Sequence, residues 1–113
     1  MPTECIVLRT HRKKWALTQR ELADLIGIAS QQHVSHVERS MIVPGIKVVL
    51  ALEIVFGVCA KQLFPKLFDE IEDEVVRNLY QFGERLKSNV SKAAARKRQL
   101  VAEALSRATL SAE

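Results

Sequence analysis

Gln31-Gln32-His33, followed by Ser35 and His36, puts five hydrogen-bonding side chains into six consecutive residues. A glutamine amide donates and accepts at once, and that paired capacity matches the N6 and N7 edge of adenine. Serine and histidine add donors that suit a base or a phosphate. Two other chemistries compete for the same residues. His33 and His36, with His11 upstream, raise the question of metal, but no carboxylate or cysteine follows at a ligand spacing. Ser35 beside His36 raises nucleophilic catalysis, yet neighbours on a helix point to different sides and no glycine loop offers an oxyanion site. The residues therefore point to binding rather than to an enzyme, with neither metal nor other cofactor.

The surrounding elements must hold that polar stretch outward. Strand alternation and hairpin turns are nearly absent, while helical spacing recurs, so an all-α chain is expected. A first helix is expected over residues 3–14, with Cys5, Leu8 and Val7 inward and Arg9, Arg12, Lys13 and Lys14 following. Trp15 is expected to be a partly buried cover over the first turn rather than a stacking platform. Thr18-Gln-Arg-Glu21 is a capping box, opening a second helix with Leu22, Leu25 and Ile26 inward and Ala23 where another helix approaches. Gly27 stops that helix. Ser30 caps a third, with Val34 and Val37 inward and Gln31, Gln32, His33, Ser35, His36 and Arg39 outside. Pro44-Gly45 is a loop before a fourth helix over 46–56, burying Val48 or Val49, Leu52, Val55 and Phe56. A fifth over 60–64 is closed by Pro65. Two short helices joined by a glycine turn, the second polar on its outer face, form a helix-turn-helix arrangement.

The stretch Leu17-Thr-Gln-Arg-Glu-Leu-Ala-Asp-Leu-Ile-Gly27, with Val34-Ser-His-Val-Glu-Arg39 and Pro44, resembles the Xre/Cro/λ-repressor-like helix-turn-helix family over roughly residues 4–65. The resemblance implies a five-helix, λ-repressor-like domain that binds double-stranded DNA and commonly regulates transcription as a dimer. It implies base contacts at Gln31 and Gln32, and the donor groups of His33, Ser35 and His36 are expected to add to them. Phosphate contacts would come from Arg12, Lys13, Lys14, Thr18, Gln19, Ser30, Arg39 and Lys47, and Arg12 would pair with Glu38. Two departures stand out. One extra residue separates Gly27 from Val34, placed in the turn at Ile28-Ala29, and Ser40 stands where the family carries glycine.

Charge divides the chain. Residues 1–65 carry eight Lys/Arg and five Asp/Glu, 66–91 carry four and six, and 92–113 carry five and two. A basic first domain (1–65) and a basic tail thus flank an acidic segment within a helical extension (66–113). Asp69 to Glu74 places acid in a first helical turn. Ile71, Val75, Leu79, Phe82 and Leu86 then recur at nearly heptad spacing. That seam is either an oligomerisation surface or folds onto the first five helices. Residues 91–108 form a second helical segment with Leu100, Val101, Ala104 and Leu105 on one side; its basic residues suit a solvated face. Cys5 and Cys59 are expected as buried free thiols in a cytoplasmic protein, and no apolar run suits a membrane. The expected function is a transcriptional regulator, repressor-like and dimeric. An antitoxin or regulator whose C-terminal helices hold a partner protein is the alternative.

Overall fold

The computed structural model describes residues 6–28 and 30–111, and they form seven helices and no strands. Cys5 lies outside the described residues. The chain divides after Lys66 into two compact units.

In the first unit, α1 (Ile6–Lys14), α2 (Gln19–Ile26), α3 (Gln31–Glu38), α4 (Ile46–Phe56) and α5 (Ala60–Leu63) surround one core. Leu8, Leu22, Leu52 and Leu63 are fully buried there, joined by Ala23, Ile26, Val34, Val37 and Val48. Burying each large aliphatic side chain contributes about 1.5–3 kcal/mol, so these few residues set the packing. The Thr18 capping box forms as its spacing dictates: the hydroxyl accepts from the Glu21 amide at 3.0 Å, and the Glu21 carboxylate accepts from the Thr18 amide at 2.9 Å. Gly27 ends α2 in the left-handed region at φ 75°.

Several sequence expectations need correction. Leu25 is 58% exposed, not inward. At about 100° per residue the buried arc of α2 runs from Leu22 through Ile26 to Ala23, and Leu25 falls about 60° beyond it. Trp15 is 63% exposed rather than a cover; α1 ends one residue earlier, and Lys14 Nζ stands 5.4 Å from its ring centroid. Cys59 is exposed, because it caps the short α5 from the linker instead of joining the core. Glu53 of α4 accepts from the Ala60 amide at 2.6 Å and so helps to start that helix.

Two non-glycine residues, Ala16 and Ser40, occupy left-handed backbone at φ 57°. Each follows a helix end, where glycine carries no steric cost. Ala16→Gly and Ser40→Gly are each expected to stabilise the protein by up to about 1 kcal/mol, since left-handed backbone costs an L-residue about 1–2 kcal/mol and added unfolded-state freedom offsets part of the gain. Urea unfolding midpoints measure this; a lower midpoint in either variant would contradict it.

The second unit is a helical hairpin of α6 (Pro65–Leu86), which it includes from Leu67 onward, and α7 (Lys92–Ser111). Pro65 opens α6 instead of merely closing α5, which suits the fixed φ of proline at a first helical position. The acidic run therefore lies beyond the first turn, contrary to expectation. Arg98 Nη1 donates to the Leu86 carbonyl at 2.8 Å and the Asn89 carbonyl at 2.6 Å, tying α7 to the end of α6. Ser91 Oγ accepts from the Ala94 amide at 3.1 Å and starts α7. A Cβ on Gly83 would meet Val101 Cγ1 at 3.6 Å, so α7 passes close by there. Leu86 of the apolar seam is buried, Leu79 and Phe82 are half-buried, and Ile71 and Val75 remain about half exposed. The end of the seam nearest the bend is thus covered by this chain's own α7.

Candidate nucleic-acid interface

The polar face of α3 follows from where its apolar residues must go. With Val34, Val37 and Glu38 buried, the residues left outward are Gln31, Gln32, Ser35, His36 and Arg39. At about 100° per residue these five fall within an arc of about 140°. Gln31, Gln32 and Arg39 are exposed, while Ser35 and His36 are partly covered. His33 sits differently from the outward position expected of it. It lies about 40° from Val37 around the helix, is half-buried, and lines a small gap in the core beside Ile26, Ile28 and Val34. Ser30 caps the helix, its hydroxyl accepting from the Gln32 amide at 3.1 Å.

What orients α3 is a buried carboxylate. Glu38 has no exposed surface. Arg12 Nε donates to its Oε2 at 2.6 Å and Arg12 Nη2 to its Oε1 at 3.1 Å, a bidentate pair between α1 and α3. Gln19 Nε2 donates to the same Oε1 at 3.0 Å from the start of α2, and Arg9 Nε stands 3.8 Å away. Arg12 Nη1 also donates to the Leu17 carbonyl at 2.9 Å. One carboxylate thus locks three helices in mutual register, and charge-assisted bonds of this kind are about twice as strong as neutral ones. Arg12, with its side chain only 11% exposed, is turned inward and braces α1 against α3. Gln19 is likewise engaged. The sequence expectation missed Gln19 and Arg9 as partners of Glu38, although Arg9 lies one helical turn before Arg12.

Around this frame, Lys13, Lys14, Thr18, Ser30, Arg39 and Lys47 are exposed. The Lys47 ammonium lies 3.9 Å from where a Gly27 Cβ would stand, over the turn that ends α2. Hydrogen bonds from the Thr18 amide, and then from its hydroxyl, hold the Glu21 carboxyl below its ordinary range. The cap is therefore complete above the usual carboxylate pKa and weakens as pH falls through the lower folded value.

A glycine-ended helix, a short turn and a second helix with a polar outward face form the geometry of this unit, and residues 8–59 match the family model described as helix-turn-helix. The segment is a helix-turn-helix domain of the Xre/Cro/λ-repressor-like family. No curated protein and no solved structure matches the chain. The helix-turn-helix domain binds DNA and belongs to a class serving transcription regulation, generally without enzymatic activity. Among the described residues no helix is long and apolar enough to cross a membrane. In this helix-turn-helix the segment between α2 and α3 spans residues 27–30, of which Ala29 is outside the described residues, and α3 keeps Ser30 as its cap and Glu38 in the buried pair. Ser40 takes up the left-handed backbone that glycine would otherwise supply.

Proposed function

We propose that the chain is a sequence-specific transcriptional regulator of bacterial or phage type, acting as a dimeric repressor on double-stranded DNA. The observation that carries this reading is the outward face of α3, a cluster of amide, hydroxyl and imidazole groups braced from behind by Glu38. A helix of this kind enters the major groove, and its N-terminal residues meet base edges. Gln31 and Gln32 are the base readers, Ser35 and His36 flank them, and His33 contributes through the N-terminal shape of α3 more than through an outward side chain. Affinity comes from Lys13, Lys14, Arg39 and Lys47, helped by Thr18 and Ser30 at the starts of α2 and α3. Arg12 and Gln19 act on phosphate only indirectly, by positioning.

A footprint of the full chain on DNA upstream of its own gene tests this reading. A protected site within which base changes alter affinity supports it; protection that ignores sequence would refute it. Lys14→Ala is expected to weaken binding to all sequences alike and to lower the slope of log affinity against log salt by about 1, the signature of one lost phosphate contact. An unchanged slope would remove Lys14 from the interface.

A further inference from the structure

A hairpin of two helices cannot cover its own apolar residues, because each helix has only one neighbour. Among its described residues Leu86, Ala94 and Val101 are buried, all toward the bend or midway along α7. Toward the open end Ile71 is 50% exposed and Val75 47%, while Tyr80 and Leu100 are exposed farther along the helices and Val90 at the bend. A cleft of about 360 Å³ separates the helices there, lined by Glu72, Asp73, Val76, Arg77, Leu105 and Ala108 among others.

Charge is just as unevenly spread. Residues 84–98, around the bend, carry six Lys/Arg and one Glu, a net of +5. Residues 67–83 and 99–111, toward the open end, carry six Asp/Glu and two Lys/Arg, a net of −4. The hairpin is a charge dipole along its own axis, with Ile71 and Val75 uncovered toward its negative end and Val90, 96% exposed, uncovered at the basic bend. Such an object is complementary to an inverted copy of itself.

We propose that the hairpin pairs with the hairpin of a second copy of this chain about a two-fold axis perpendicular to the helices. The acidic open end of each copy lies against the basic bend of the other, and Ile71 and Val75 are covered in an antiparallel four-helix bundle. The proposal rests on the dimer reading above and adds its orientation and the residues that choose it. A two-fold axis along the helices would instead oppose like ends, and charges across a bundle lie within the ~8 Å screening length at physiological salt.

The test uses the full chain with exchanged charges. Asp69→Lys, Glu70→Lys, Asp73→Lys and Glu74→Lys turn the open end from −4 to +4. Lys87→Glu, Lys92→Glu, Arg96→Glu and Lys97→Glu turn the bend from +5 to −3. The eight-fold exchanged chain is expected to dimerise with itself but to form mixed dimers with the unaltered chain at least tenfold less often than either forms its own. Two affinity tags, co-capture after mixing and sedimentation read this out. The chain with the four lysine substitutions alone, basic at both ends, is expected to pair at least tenfold more weakly than the unaltered chain, and circular dichroism checks that its helices persist. Mixed dimers that predominate would overturn the antiparallel arrangement. Free mixing, or full pairing by the lysine variant, would show that charge does not select the pair. An unaltered chain that stays monomeric at tens of micromolar would overturn the dimer reading itself.

Discussion

Glu38→Ala is expected to destabilise the protein by about 3–5 kcal/mol, the largest effect of any single substitution foreseen for this chain. The carboxylate is wholly buried and receives three hydrogen bonds, two from Arg12 and one from Gln19. Its removal leaves the Arg12 guanidinium, itself mostly covered, without a counter-charge and strands the Gln19 amide. Domains of this size have only about 5–15 kcal/mol in reserve, so the loss removes a large share of the stability. Replacing both charged partners, Arg12→Met with Glu38→Leu, should cost far less than Glu38→Ala alone, because no unpaired charge remains buried. Urea unfolding of the two variants and the parent measures the difference. A loss below about 1 kcal/mol for Glu38→Ala would mean that the pair contributes little to holding α1, α2 and α3 together.

The second large effect concerns reading rather than stability. Gln31→Ala is expected to flatten base preference at one or two operator positions by about 1–3 kcal/mol, roughly 5- to 150-fold. The fold should be unaffected, since Gln31 is exposed at the start of α3 and has its backbone held by the Ser30 cap region. Competition binding across single-base operator variants reads this directly. An unchanged ranking of variants would take Gln31 off the base edges and shift the register of α3 in the groove.

Local chemistry was the legible part of this fold. The Thr18–Glu21 box, the glycine end of α2 and the Ser30 cap each depend on residues within a few positions of one another, and each forms where its spacing places it. Periodicity also located α4 and the buried pair Val34 and Val37. What was less legible depends on distance across the chain. Leu25 satisfies an apolar period but faces away because α3 and α4 pack around Ile26. His33 is polar, yet its position around α3 brings it beside Val37 at the core margin. The Arg12–Glu38 pair was legible from the resemblance, whereas the bond from Gln19 to the same carboxylate emerges only once α2 packs beside α3. Similarly, Arg98 belongs to a basic tail by composition but is bound to the end of α6 once α7 folds back.

Selection of binding sites by the full-length chain from a pool of random duplexes tests the central claim most directly. If the α3 face reads bases and two copies act together, the recovered DNA carries an inverted repeat whose half-sites lie about 10–10.5 base pairs apart, or a multiple of that distance. Methylation of guanine N7 within those half-sites should block binding, because N7 lies in the major groove. Recovered DNA with no shared sequence, or binding indifferent to major-groove methylation, would contradict the account.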